Sequence, residues 1–263
     1  MRESMMKKSS NLKVLPPFKS SIPKSTFNVY VGMCAHRGIS PRVISKIRIL
    51  QACPDPKIHF ELMDGDALID RSRGRVATDF LKRGVDDILL FIDDDIVFDP
   101  QDIRKLLVTC RTMDLDILGA TYPLKTENKP SLTFRALTNN EVIPFGKNGG
   151  LYEVRQIATG CMAVQRRVFR KMVDIGMVQL CGDAHLKFYP FFMPGQKQIE
   201  GKWKYLSEDW NFCERSRDIG FKVWLDTTIK LGHIGPKVYD WDDILREPKQ
   251  VHEDFNYELR VLE

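Results

Sequence analysis

The sequence is short of several things, and each shortage excludes a class. No stretch approaches the roughly 20 apolar residues of a membrane span. The first residues have no apolar signal-peptide core. No Gly-x4-Gly-Lys-Ser/Thr loop precedes the acidic strand described below, which removes the P-loop ATPases. The six cysteines, Cys34, Cys53, Cys110, Cys161, Cys181 and Cys213, include no CxxC pair. That pattern reads as buried free thiols in a reducing compartment, not a disulfide or zinc framework. Net charge is also missing from most of the chain. Arg2, Lys7, Lys8, Lys13, Lys19 and Lys24 against Glu3 place the whole formal +5 within residues 1–26, so the rest is neutral. A globally basic nucleic-acid binder is therefore not indicated. The Ser/Lys/Pro-rich tail is expected to be flexible or to serve as a docking arm, with only weak attraction to a membrane surface.

What is present suits a folded domain. The apolar fraction of 43% supports an ordinary core, and 263 residues fit one large α/β domain with appendages. The stretch that organises the chain is Ile88-Leu89-Leu90-Phe91-Ile92-Asp93-Asp94-Asp95. Five consecutive apolar residues predict a strand buried on both faces, as in a parallel sheet covered by helices. Burying three carboxylates uncompensated is costly, so Asp93, Asp94 and Asp95 belong at the open end of that strand, where α/β sheets bind ligands. Clustered carboxylates repel unless a cation lies between them, and oxygen ligands suit Mg²⁺ or Mn²⁺. Asp99-Pro100 then ends the strand and caps a helix over 101–110.

Patterning predicts strands over 27–33 and 58–63, with helices over 42–53 and 68–83. The order β-α-β-α-β implies a parallel sheet with right-handed crossovers. Arg71, Arg73 and Arg75 crowd the start of the second helix, as a solvated basic face or as bidentate donors to a diphosphate. Later come a short strand over 116–120, a β-rich insertion over 132–157, and a strand over 156–164 with Thr159-Gly160 inside it. A helix over 166–175 follows. Residues 181–206 read as a long irregular stretch whose aromatics either pack the core or bind substrate. A helix over 207–219 opens with Ser207 as cap and Glu208-Asp209 in its first turn, either as helix-dipole partners or as functional acids. A strand over 221–226 precedes His233, which lies between glycines as a structural residue or a ligand. Residues 237–263 read as a tail or peripheral helix.

Five segments in this order carry a resemblance: Arg-Ser-Arg-Gly-Arg-Val-Ala-Thr-Asp-Phe-Leu (71–81), Leu-Phe-Ile-Asp-Asp-Asp-Ile-Val-Phe-Asp-Pro (90–100), Ala-Thr-Gly-Cys-Met-Ala-Val-Gln-Arg-Arg-Val-Phe (158–169), Ser-Glu-Asp-Trp-Asn-Phe-Cys (207–213) and Leu-Gly-His-Ile-Gly (231–235). Over residues 27–236 the chain resembles nucleotide-sugar glycosyltransferases of the GT-A fold, close to family-2-like members that include phage, large-virus and bacterial enzymes. The resemblance implies a mostly parallel central sheet flanked by helices, with a smaller β-rich acceptor-side part. It implies a catalytic domain over 27–236, which leaves the basic tail over 1–26 and an extension over 237–263 outside it.

By the same resemblance Asp93-Asp94-Asp95 matches the Asp-X-Asp motif. Asp95 binds Mn²⁺ or Mg²⁺, Asp93 reaches the metal's water shell or the ribose, and His233 completes the metal site. Asp94, Arg73, Asp64 and His36 fall on the donor side, with Gly74 standing where the family often has asparagine. Asp209, in the pair Glu208-Asp209, matches the general base of inverting members. Thr159 and Gly160 lie on the acceptor side, and Trp203 and Tyr205 offer flat faces to a sugar ring. The implied donor is a UDP-sugar first and a GDP-sugar second. The implied acceptor is a glycan or glycoconjugate, without nucleic acid, and the setting is cytoplasmic (the host's for a viral or phage member). Three rivals remain in view. A sugar-1-phosphate nucleotidyltransferase needs a different loop after the first strand, a metal-dependent nuclease also clusters carboxylates, and a degenerate GT-A protein would bind without turnover.

Overall fold

In the computed structural model, residues 14–15, 27–35, 38–126, 131–138, 142–244 and 255–258 are described. The principal strands are β1 (Asn28–Ala35), β2 (Lys57–Asp64), β3 (Ile88–Ile92), β4 (Ile117–Gly119), β5 (Leu151–Val154), β6 (Cys161–Gln165) and β7 (Val223–Asp226). The α-helices are α1 (Pro41–Ala52), α2 (Ile69–Arg83), α3 (Pro100–Thr112), α4 (Arg166–Asp174) and α5 (Glu208–Asp218). The seven strands form one sheet in the order β2-β1-β3-β6-β4-β7-β5, and Val14–Leu15 adds an eighth strand beside β5. Only β6 and β5 run against the rest. The α/β class and the mostly parallel sheet agree with the sequence reading, and the arrangement is consistent with a GT-A-like fold.

Period-two alternation in β3 explains the two layers. Leu89 and Phe91 join a core with Val76, Ala77 and Phe80 of α2, Phe169 of α4 and Phe212 of α5. Ile88, Leu90 and Ile92 point the other way, to Ile47 and Leu50 of α1 and Ile103 and Leu107 of α3. Every residue of β3 is at most 1% exposed, as its unbroken apolar run requires. The crossovers through α1 and α2 make β1, β2 and β3 parallel, so their carboxyl ends meet on one edge. The Asp99 side chain accepts the Gln101 N–H at 2.8 Å and so caps α3.

The structure departs from the reading in four places. The strand drawn over 156–164 is two strands, Gln156–Ile157 and β6, with Thr159-Gly160 in the turn between them. The stretch 181–206 is not irregular throughout: Gly195–Ile199 and Lys202–Leu206 form an antiparallel hairpin. Its aromatics divide between both roles, with Phe191 and Phe192 in the core and Trp203 and Tyr205 at 69% and 76% exposure. The described part of 237–263 holds no α-helix but two strands, Val238–Tyr239 and Phe255–Glu258, and a 3-10 turn, Trp241–Asp243. Trp241 is buried, and its ring meets Phe145 edge-on at 5.8 Å. All six cysteines are free, but Cys53 is only half-buried and Cys181 is exposed, because each lies at or beyond an element's end. Apart from Val14–Leu15, the tail 1–26 lies outside the described residues.

Candidate active site

A cleft of about 210 Å³ opens at the carboxyl ends of β1, β2 and β3, lined by Cys34, Ala35, Asp66, Arg73, Asp93, Asp94 and Asp95 among others. The acidic triplet forms a turn, closed by the Ile96 N–H on the Asp93 carbonyl at 3.2 Å. The three carboxylates meet different fates there. Asp93 takes both oxygens to Arg73 Nη2 at 3.0 Å. Asp94 faces the cleft, where burial and then the charges of Asp95 and Asp93 push its carboxyl up to about 6. Burial also works to raise Asp95, but bonds from His233 and Lys125 outweigh it and hold that carboxyl below its ordinary value.

Helical geometry sorts the arginines. Arg71 and Arg75, one turn apart, share a side of α2. Arg71 makes a two-nitrogen fork to Asp66, with Nη2 at 2.7 Å and Nε at 2.8 Å, and Arg75 lies 3.5 Å from the same carboxylate. Arg73 turns to the opposite side and is 5% exposed. It bridges Asp93 to Glu208 at the start of α5. Burial acts to depress its guanidinium, but Asp93, Glu208 and Asp209 outweigh it and raise the pKa above the ordinary value. Each member of the trio thus has a carboxylate partner, and only Arg73 is buried with its own. Gly74 is required by packing: a Cβ there would come within 2.9 Å of the Phe188 ring and 3.0 Å of the Tyr189 carbonyl.

The bridge places the acidic strand end beside the acidic helix start. Glu208 is pushed up by burial, against the opposing pull of Arg73. Asp209 Oδ1 accepts from the Ser207 hydroxyl and from the Trp210 N–H, the latter at 2.7 Å. Ser207 thus makes no side-chain cap to the helix backbone, contrary to its expected role, because its hydroxyl goes to Asp209. With Oδ1 held twice, Oδ2 is the oxygen left for a ligand.

His233 lies on the strand Gly232–Ile234, which pairs with Ile96–Val97 just after the triplet. The Ile234 N–H donates to the Asp95 carbonyl at 2.7 Å. His233 Nδ1 is 2.9 Å from the Pro123 carbonyl, and Nε2 is 3.5 Å from Asp95 Oδ2. A carbonyl only accepts, so Nδ1 carries a proton and donates to Pro123, which leaves Nε2 as the nitrogen that faces Asp95. That is the ring orientation a metal ligand needs. No group of three or more His, Cys, Asp or Glu side chains forms a cage among the described residues. Asp95 and His233 still fit a divalent ion of the kind that completes its shell with phosphate oxygens and water.

Several expected residues occupy other places. Asp64 is exposed and does not line the cleft, whereas Asp66, beyond the turn at Gly65 (φ 77°), does. The signal for Asp66 in the sequence is the cluster Asp64-Gly65-Asp66. Hydrogen bonds from Arg71 hold its carboxyl down at about 2. His36 lies outside the described residues. Thr159 is fully buried with no partner for its hydroxyl, so it presents nothing to an acceptor. Gly160 is required by Tyr122: its N–H donates to the phenol oxygen at 3.2 Å, and a Cβ there would fall 2.3 Å from that oxygen. Tyr122 and Lys125 are the functional-site neighbours that the sequence did not single out. Tyr122 packs edge-on against His233 at 4.8 Å, and Lys125 binds Asp95. Cys34 borders the cleft as an inert thiol, pushed up by burial to about 12.

Compared by sequence, the chain matches no family model and no curated protein. Solved structures similar to it include A197 from STIV, at TM-score 0.49 and 14% identity over 86% of this chain and 100% of that one. They also include GalNAc-T7, crystallised with UDP, GalNAc and Mn²⁺, at TM-score 0.46 and 10% identity. That likeness covers 81% of this chain but 44% of the GalNAc-T7 chain, so this protein spans less than half its length. Both scores are low, and the fold assignment rests on the strand order and the two helix layers. No described helix is long and apolar enough to cross a membrane.

Proposed function

We propose that this protein is a GT-A-type glycosyltransferase that moves a sugar from a nucleoside diphosphate to a hydroxyl of a glycan or glycoconjugate, with inversion. The observation that supports the reading best is the Arg73 bridge, which joins Asp93 at the strand end to Glu208 at the helix start. Two acidic segments far apart in sequence are thereby held side by side, one suited to a donor and the other to a base. The nucleoside would enter beside Asp66 and Ile69, with its diphosphate toward Asp94 and Asp95. When bound at Asp95 and His233, a divalent ion would act as a Lewis acid on the leaving diphosphate. Asp209 Oδ2 takes the proton of the acceptor hydroxyl. Glu208 and Arg73 position that helix start and do not touch the reacting atoms. Product with the donor's anomeric configuration would overturn inversion.

Calorimetry with UDP and GDP, in Mn²⁺ and in EDTA, tests the donor site. One nucleotide, UDP before GDP, is expected to bind in Mn²⁺, and binding is expected to vanish in EDTA and in Asp95→Ala. Failure of both nucleotides to bind under every condition would defeat the reading and favour a nuclease or a degenerate site.

Trp203 and Tyr205 alternate along one hairpin strand, so both project from the same face, and Tyr205 lies close in sequence to Glu208. Exposed indole and phenol faces suit a sugar ring. The double change Trp203→Ala and Tyr205→Ala should leave the melting temperature unchanged, since neither ring is in the core. The acceptor KM is expected to rise about tenfold, the equivalent of roughly 1.4 kcal/mol of lost contact. An unchanged acceptor KM would remove the hairpin from the acceptor site.

A further inference from the structure

Lys125 is the feature of the cleft that the proposed chemistry does not use. Its ammonium lies on Asp95 Oδ2, the oxygen that also faces His233 Nε2 at 3.5 Å. An ion shared by Asp95 and His233 would need that oxygen. The lysine's path is shaped by its surroundings: a Cβ on Gly235 would lie 3.3 Å from Lys125 Cδ and 3.6 Å from Cγ, so the stem runs over a glycine. The segment carrying it is anchored, with the Leu124 N–H donating to the Ser131 carbonyl at 2.9 Å and Pro123 bridging to Leu132. Pro123 of the same segment supplies the carbonyl that orients His233. The two paired carboxylates thus differ in kind. Asp93 is matched to a guanidinium whose side chain is 6% exposed, whereas the Lys125 side chain is 34% exposed. A lysine head on a flexible stem can swing into water, and a guanidinium enclosed by protein cannot.

We infer that Lys125 is a displaceable counter-cation: its ammonium holds Asp95 while no divalent ion is bound and competes with the ion for Oδ2. The inference rests on the glycosyltransferase reading and specifies how its metal site is regulated. Arg73 already neutralises Asp93, so without Lys125 the two carboxylates of Asp94 and Asp95 would stand side by side at the cleft, with no cation on Asp95 but His233 nearby. An arriving diphosphate gives the released ammonium a new partner. Ion and nucleotide therefore bind with positive coupling through this one side chain.

The test is Mn²⁺ binding to the full chain, read from the free-ion paramagnetic resonance signal with no nucleotide and no turnover. Lys125→Met keeps the stem over Gly235 and removes the charge, and its melting temperature confirms folding. It is expected to bind Mn²⁺ roughly three- to tenfold more tightly than wild type, the scale of removing a half-exposed ion pair and a nearby cation. Lys125→Arg, which keeps the charge, should stay near wild type. Adding Asp95→Asn to Lys125→Met should abolish the gain. Equal or weaker Mn²⁺ binding by Lys125→Met would overturn the role of Lys125 and leave the metal site standing. No Mn²⁺ binding by either protein would overturn both.

Discussion

Asp209→Asn is expected to lower kcat for sugar transfer by about 10²–10⁴, the usual contribution of a positioned general base. The change is nearly isosteric. The asparagine side-chain oxygen can still accept from Ser207 and from the Trp210 N–H, which in the native protein lies 2.7 Å from Oδ1. Helix α5 should therefore keep its start, and nucleotide affinity should not move. What is lost is the free oxygen with a negative charge beside the acceptor. Single-turnover kinetics alongside nucleotide calorimetry separate the two effects. A variant that transfers sugar at the native rate would show that Asp209 only stabilises the positive end of its helix, the alternative open from the sequence. A variant that binds nucleotide poorly would place it on the donor side instead.

The second large effect concerns Arg73→Met. Methionine fills much of the volume but leaves Asp93 and Glu208 facing each other without the cation between them. Removing one partner of a buried ion pair typically costs about 3–5 kcal/mol, because the remaining charge stays desolvated. For a protein of this size the melting temperature should fall by on the order of 10 °C. The sign of the pH dependence follows from Glu208, whose pKa is already raised by burial against the pull of Arg73. Without Arg73 it rises further. A carboxyl raised in the folded state favours folding only while protonated, and that contribution disappears as pH rises through the folded value. The deficit of Arg73→Met should thus be full at neutral pH and shrink as the medium is acidified through that folded value. Urea titrations of both proteins across that range would check it. A deficit independent of pH would mean that lost packing, not stranded charge, is responsible.

The parts legible in the sequence were those with local causes. The apolar run Ile88–Ile92 could only be a strand covered on both sides, and three following carboxylates could not follow it into the core. Helix starts and stops fell close to place because Asp99-Pro100 and the apolar spacing of α2 act over a few residues. The misreadings also have local causes. Thr159-Gly160 reads as strand because apolar residues flank it on both sides, yet it is a turn packed against Tyr122. The sequence does not distinguish Asp64 from Asp66, because the left-handed backbone of the glycine between them is not written in the residue types around it.

The sequence by itself determined that an acidic strand end lies at the open edge of an α/β sheet, since burial costs leave a carboxylate cluster nowhere else to go. It also determined which residue types were available for a cation, a diphosphate and a proton. Only the tertiary structure decided how they are paired. Arg71 and Arg75 close on Asp66, Arg73 crosses to Asp93 and Glu208, and Lys125 holds the carboxylate that faces His233. Those pairings join segments separated by up to 135 positions. Charge attraction carries no sequence address, so the choice among many arginines and carboxylates is made by the backbone that brings particular ones within a few ångströms and shields them from water.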